Sequence, residues 1–388
     1  MATPERPYQG GRMIPDNNGV MFRSLTSRGV AAYGLAAALT LLYVVIYFGD
    51  RIAGGAVQLW MQANVYGHLE SLSQTLRGRP ADQWFFYGTL YTVAVLVFGA
   101  RMLHRYRTVP YQIVRTLSVM LFQLGFAYLL PNLLVLFKQP EFYFSYFWPL
   151  KPEYLYPYTW THYGGTGVYF LIVAAFLSFV ATPVLTYYFG KRWYCSWVCG
   201  CGGLANTAGD SFRHLSNKSS AAWRLERMTI YPILGLIVIV TALLWINSLT
   251  SGSVFGRFSQ SLAEWYGFYI GAIFSGVIGV GFYPLLGTRI WCRFGCPMAA
   301  ILGMLQVKLS RFRITTNGGH CISCGNCSTY CEMGIDVRAY AQNREDIIRA
   351  SCVGCGICSA VCPRGVLRLE SGRLQIVESK HEIVTTRR

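Results

Sequence analysis

The stretch Cys321-Ile-Ser-Cys324-Gly-Asn-Cys327-Ser-Thr-Tyr-Cys331, followed by Cys352-Val-Gly-Cys355-Gly-Ile-Cys358-Ser-Ala-Val-Cys362-Pro363, decides how the rest of the chain is read. Eight of the chain's thirteen cysteines lie in it. Each run is C-x2-C-x2-C-x3-C, a spacing with which thiolates hold two cubane iron–sulfur clusters. Three closely spaced thiolates wrap three corners of a 4Fe–4S cube, and the fourth comes from the other run. On that pattern Cys321, Cys324, Cys327 and Cys362 hold one cluster, and Cys352, Cys355, Cys358 and Cys331 hold the second. Zinc would call for C-x2-C pairs rather than two quadruple runs, and disulfides need an oxidising compartment. Residues 311–388 therefore read as an α+β two-cluster domain of the bacterial ferredoxin type.

Composition says what carries that head. The chain has 388 residues, 53% of them apolar and only 13% charged, against a usual charged share of about a quarter. Such a deficit marks a membrane protein. The formal charge of +17 falls in short basic runs between apolar stretches, as the positive-inside rule expects. With no recognition motif beside the charge, nucleic-acid binding is excluded as a reading.

Six apolar stretches are long enough to cross a bilayer, which takes about 20 residues. They lie near 29–49, 84–103, 114–137, 167–189, 228–249 and 266–286. Basic clusters, such as Arg101, Arg105 and Arg107 after the second span, mark the cytoplasmic side. An even number of spans then puts both termini and the cysteine-rich head in the cytoplasm. The expected organisation is a flexible cytoplasmic tail (1–28), a three-helix membrane region (29–137), an aromatic periplasmic loop (138–165), a second three-helix region (166–310) and the head (311–388). Residues 57–76 read either as a helix lying on the membrane surface or as an ordinary outer loop. The aromatic loop reads as an interfacial belt or as one wall of a quinone pocket. Residues 298–310 read as a connector helix under the membrane, and the segment after Gly365 as a hairpin. Pro131 and Pro183 lie inside spans, where helices tolerate them once neighbours satisfy the freed carbonyl.

The loops after spans four and six repeat. One reads Gly190-Lys-Arg192-Trp-Tyr194-Cys195-Ser-Trp-Val-Cys199-Gly200; the other reads Gly287-Thr-Arg289-Ile-Trp291-Cys292-Arg-Phe-Gly-Cys296-Pro297. Gly, Arg, an aromatic and two cysteines recur at a constant offset, as in a duplicated unit. Cys195, Cys199, Cys292 and Cys296 together offer four thiolates. They are either the ligands of a third iron–sulfur centre or packed structural thiols. Cys201 is a spare ligand or a buried small side chain. Arg192 and Arg289 suit a cluster's charge, a quinone head group or anionic lipid, and plain basic flanks explain them as well. Haem finds no inward-facing histidine pair and no C-x-x-C-H.

From Thr166 to Leu369 these motifs resemble the membrane-bound polyferredoxins. That group includes the quinol-dehydrogenase membrane subunit of periplasmic nitrate reduction, the iron–sulfur half of the nitrous-oxide-reduction regulator and the cytochrome oxidase accessory proteins. The resemblance implies two 4Fe–4S clusters in a bacterial inner membrane protein. It also implies electron relay between the quinone pool or a cytoplasmic donor and a partner redox protein. The chain then acts as a subunit of an oxidoreductase of the quinol dehydrogenase type. An assembly factor that reduces a metal such as copper for oxidase cofactor insertion is the alternative, and a redox sensor a third. Two residues depart from the group's pattern. Gly200 stands where proline follows the second loop cysteine, so that loop is expected to fold differently. Glu332 stands where proline follows Cys331, and its charge is expected to disfavour reduction of the nearby cluster.

Overall fold

Where no water can satisfy a backbone amide, an apolar run closes its hydrogen bonds internally and becomes a helix. The computed structural model describes residues 29–156, 164–251, 253–371 and 374–377. The expectation for residues 1–28 lies outside these, as do the last residues of the aromatic loop. Among the described residues six helices are long and apolar enough to cross a membrane. The first, α1, is Val30–Asn64; it continues unbroken past its apolar part, Val30–Gly49. Residues 57–76 are therefore not one surface helix. They divide between the end of α1, a 3-10 turn at Tyr66–Leu69 and a short α2 at Glu70–Arg77.

Helix α3 spans Gln83–Arg105, with the Asp82 carboxylate accepting from the Phe85 amide as its N-cap. Next come α4 (Pro110–Leu136) and α5 (Gly164–Phe189). Each contains a wide π-helical segment, at Phe122–Leu129 and Leu177–Ala181, directly before its internal proline, Pro131 or Pro183. A proline lacks the amide its turn needs and crowds the carbonyl four residues back. Widening the turn accommodates both defects. Two short helices follow, α6 (Arg192–Cys195) and α7 (Gly200–Asn206). Then come α8 (Ser220–Leu249) and α9 (Phe258–Gly281).

The described part of the aromatic loop folds on itself. Phe142, Trp148, Tyr154 and Leu155 bury against Phe170 and Ala174 of α5, and the Tyr154 hydroxyl accepts from the Tyr143 amide at 2.9 Å. That is a small core of its own.

After α9 come α10 (Tyr283–Leu286), α11 (Ile290–Phe294) and α12 (Pro297–Leu309). Helix α12 packs against α8 and the end of α5, so one face of the connector is buried in the scaffold while Met304, Val307 and Leu309 stay exposed. It leads into β1 (Phe312–Thr316), which pairs antiparallel with β2 (Leu367–Ser371), and β2 with β3 (Leu374–Val377). The hairpin after Gly365 is present, and β1, not foreseen, completes a three-stranded sheet. Phe312 and Ile314 of β1 and Leu367 and Leu369 of β2 point inward, every second residue, as a half-buried strand requires. Between β1 and β2 lie three short helices, α13 (Asn326–Thr329), α14 (Val337–Gln342) and α15 (Ile357–Ala360).

The head is seated on the helix ends. Phe312 is 1% exposed and lies under the Arg192 guanidinium, 5.1 Å from its ring centre. A Cβ added at Gly190 or Gly354 would meet the Phe312 ring at 2.7 Å. The Arg311 amide donates to the Tyr187 carbonyl at 2.9 Å, and Lys191 Nζ to the Ala350 carbonyl at 3.2 Å. Phe312→Ala should therefore cost about 3–5 kcal/mol, the usual toll of emptying a buried aromatic site. The check is thermal loss of visible iron–sulfur absorbance in the detergent-purified protein, expected at a lower temperature than for wild type.

Candidate functional site

The two cysteine runs fold as near copies. Gly325 and Gly356 adopt φ of +80° and +71° and start α13 and α15. Both hold the left-handed conformation that glycine takes at least cost, and each turns the chain between its second and third cysteine. The Ile335 amide donates to Cys331 Sγ and the Val366 amide to Cys362 Sγ, both at 3.4 Å. The equivalent positions of the two runs thus receive equivalent N–H···S contacts.

The runs also cross over. Cys321, Cys324, Cys327 and Cys362 line one small cavity, with Ile322, Ala341, Val366 and Leu367. Cys331, Cys352, Cys355 and Cys358 line another, with Ile314, Ile335, Val337, Ile347 and Val353. Among the described residues no three His, Cys, Asp or Glu side chains converge as the ligands of a single ion do. A cubane asks for something different, four sulfurs spaced around an enclosed apolar volume, and both cavities fit that demand. Burial pushes the Cys352 thiol up to about 12, so loading of the inner site releases protons as thiolates form.

The cavity around Cys355 is the inner one. Its ligand loop is held by side chains of the helical region: Ser196 donates to the Val353 carbonyl at 2.8 Å, Tyr111 to Gly354 at 2.7 Å and Gln112 to Cys355 at 2.7 Å. The other cavity faces outward, with Ile322 of its lining 46% exposed.

The duplicated loops take the same local shape. Gly190 and Gly287 both have positive φ, +64° and +89°, at the ends of their helices. The Cys199 amide donates to the Tyr194 carbonyl at 2.8 Å, and the Cys296 amide to the Trp291 carbonyl at 2.9 Å. Cys199 and Cys296 then cap α7 and α12 with extended backbone. Gly200 therefore does not change the loop, contrary to expectation. It occupies the first helical position that Pro297 occupies in the second copy, and a Cβ there would lie 2.1 Å from the Tyr146 hydroxyl. Cys195, Cys199, Cys292 and Cys296 are buried in one cluster and are electrostatic neighbours of one another. Burial pushes Cys195 up to about 12. Cys201 hydrogen-bonds with Cys199.

Between the loops and the inner cavity lies a buried charge network. Glu332 is 1% exposed; its Oε1 accepts from Arg289 Nη2 and its Oε2 faces Arg213 Nη1, each at 3.0 Å. Burial alone would raise its pKa, but Arg213, Arg289 and Arg115 outweigh that and hold it near about 2. Arg289 also lies 3.7 Å from Cys292 Sγ and donates to the Cys195 carbonyl at 3.2 Å and to Asn206 Oδ1 at 2.8 Å. Arg213 pairs with Asp210 and lies 3.9 Å from Cys355 Sγ, and Arg105 pairs with the same Asp210. Arg115 donates to Asn206 at 3.1 Å. Glu332 is thus ionised and paired on both of its oxygens. Arg289 and Arg213 are interior groups, not free basic flanks. Arg115 and Gln112 carried a signal that sequence reasoning passed over: polar side chains within an apolar span are functional by default.

A separate apolar cavity of about 390 Å³ runs along the seam of α1 and α3. Leu35, Leu39, Leu90 and Phe98 form walls, and Arg101 and Ser211 lie in its lining. Tyr87 shares hydrogen bonds with Tyr43 and Tyr47, and Cys201 is an electrostatic neighbour of Tyr43, Tyr87, Tyr91 and Tyr283. The cavity therefore backs onto the first duplicated loop.

Comparison with known proteins agrees with this reading. Residues 313–363 match a 4Fe–4S dicluster domain, and residues 171–219 and 269–315 match two copies of a 4Fe–4S binding domain. The chain is 28% identical over 181 residues to YccM of Escherichia coli strain K12, named as an electron transport protein; this covers 44% of the chain and 49% of that relative. It is 26% identical over 163 residues to MauN of Methylobacillus flagellatus, a methylamine utilization ferredoxin-type protein, covering 42% of the chain and 55% of the relative. The match spans about half the length of each of these relatives. No solved structure matches the chain significantly. The likeness is to ferredoxin-type electron-transport proteins, consistent with the polyferredoxin resemblance.

Gly200→Ala should destabilise the protein by about 1–3 kcal/mol, the range for overpacking. Removing the obstructing hydroxyl with Tyr146→Phe should recover part of that loss. Thermal unfolding of the two single variants and the double variant measures the coupling.

Proposed function

We propose that this protein is a membrane-anchored iron–sulfur relay that passes electrons between the quinone pool or a cytoplasmic donor and a partner redox protein. The observation that carries the reading is the succession of thiol sets. The paired loops lie behind Arg289, the inner four-cysteine cavity behind Arg213, and the outer cavity is lined by the exposed Ile322. In this reading Cys331, Cys352, Cys355 and Cys358 hold the inner 4Fe–4S cluster, and Cys321, Cys324, Cys327 and Cys362 the outer one. Each cluster takes up or releases one electron when bound. Cys195, Cys199, Cys292 and Cys296 are the ligands we assign to a further centre. Residues 311–388 form the two-cluster head on the cytoplasmic face of a bacterial inner membrane, with both termini on that side.

The cavity between α1 and α3 is the proposed exchange site for a membrane-soluble quinone. Its length of apolar wall suits an isoprenoid tail, and the hydroxyls of Tyr43 and Tyr87 suit a quinone oxygen. Exposed Leu42 and Leu90 lie in its lining, which leaves it open to the lipid. Electrons entering there meet Cys201 and Cys199 before the head.

Anaerobic iron and sulfide analysis of the detergent-purified chain, with EPR during graded reduction, tests the cofactor assignment. Two cubanes give about eight irons and a third centre adds to that count. Cys355→Ala should remove one cubane signal and leave membrane insertion intact; if both signals persist, the ligand assignment fails. Loss of an additional signal in Cys292→Ala supports the third centre. For the quinone site, Ala94→Phe fills the cavity and should slow cluster reduction by a short-chain quinol roughly tenfold, with the cluster signals unchanged. Reduction of cupric ion by the loaded protein without any quinol oxidation would favour the assembly-factor reading.

A further inference from the structure

Cationic charge is in excess around the inner site. Among the described residues the guanidiniums of Arg105, Arg115, Arg213 and Arg289 surround two carboxylates, Asp210 and Glu332. Lys191, 1% exposed, adds a further cation. The Nε and Nη2 of Arg115 are buried and reach no hydrogen-bond partner. Burying uncompensated cations is costly, so a layer built this way calls for an anion that the side chains do not supply. A cubane held by four thiolates is such an anion, and Arg213 already lies 3.9 Å from Cys355 Sγ.

We propose that Glu332 is a positioning residue that sets the reduction potential of the inner cluster apart from that of the outer one. It does so by holding Arg213 on the Cys355 sulfur and Arg289 on the Cys292 sulfur. The proposal rests on the reading that Cys331, Cys352, Cys355 and Cys358 hold a cluster. Its physics is electrostatic. Reduction adds one negative charge to a low-dielectric site, where a nearby fixed charge acts strongly. The guanidiniums favour the reduced form, and Glu332 offsets part of their field while fixing where they point. The outer site has a different environment: Arg338 and Arg364 line it, and Ile322 of its lining is 46% exposed, which leaves it open to solvent screening. Glu332 also bridges Arg289, on the loop thiols, to Arg213, on the inner site. The loop thiols and the inner site thus share one carboxylate.

The test is a potentiometric titration of the full-length protein in detergent, with EPR reading each cluster. Cys355→Ala and Cys324→Ala first assign the inner and outer signals. Absence of cubane signals in the wild type would defeat the underlying reading, a result distinct from any that follows. Glu332→Gln keeps the side-chain shape and removes the negative charge, so the inner midpoint should move to higher potential while the outer stays in place. At the wild-type midpoint the reduced-to-oxidised ratio of the inner cluster should rise roughly tenfold. Arg213→Gln removes a cation and should move the same midpoint the opposite way; Glu332→Asp should lie between wild type and Glu332→Gln. Shifts of one sign in both charge variants, equal shifts of both clusters, or none would overturn the proposal. Should Glu332→Gln fail to retain iron, Arg213→Gln decides by the direction of its shift. Iron loss in Arg213→Gln and Glu332→Asp as well would make the bridge a folding element only, and the proposal would fall.

Discussion

One buried carboxylate ties the two halves of this protein together. Glu332 sits in the head next to Cys331, yet its partners, Arg213 and Arg289, belong to the loops of the helical region. Breaking a buried pair by removing one partner strands the other charge and costs about 3–5 kcal/mol. A head that carried no carboxylate here would leave two interior guanidiniums facing each other. The seat of the head on the helices, and with it the place of the inner cysteine cavity, depends on this charge match.

The neighbouring contacts extend the same logic. Glu226 of α8 accepts from Arg293 at 2.9 Å and also bonds Ser351, one residue before the second cysteine run. Tyr111, Gln112 and Ser196 occupy three consecutive carbonyls of that run. A carbonyl that accepts from the scaffold cannot swing away without leaving a buried polar group unsatisfied. The inner ligand loop is therefore fixed to the helical region, whereas the outer one is held mainly by the head's own residues. For an electron carrier this makes the near face rigid and the far face available to a partner.

The duplicated loops show how a local departure in sequence is absorbed by packing. Proline at the first position of a helix is favoured because its missing amide is not needed there. Pro297 follows that rule. In the other copy the Tyr146 hydroxyl fills the space that a side chain at Gly200 would take. The backbone path is preserved while the residue changes. A sequence comparison sees a broken motif, and the tertiary structure sees the same turn twice.

Much of this protein was legible in the chain itself. Helix length and apolarity are properties of contiguous residues, so six span-forming helices followed from hydropathy. Cysteine spacing groups three thiols within each run, and the fourth, expected from the other run, lines the same cavity in the fold. What the sequence could not show was which charges meet. Arg105 and Arg289 looked like basic flanks because a linear reading places them beside spans and does not pair them with the distant Asp210 and Glu332. The cavity at the α1–α3 seam was equally hidden, since its walls come from residues as separate as Leu35 and Tyr283. Local spacing determined the helices and the thiol sets; only the three-dimensional packing of distant segments decided which cysteine cavity faces the membrane helices and which buried charges surround it.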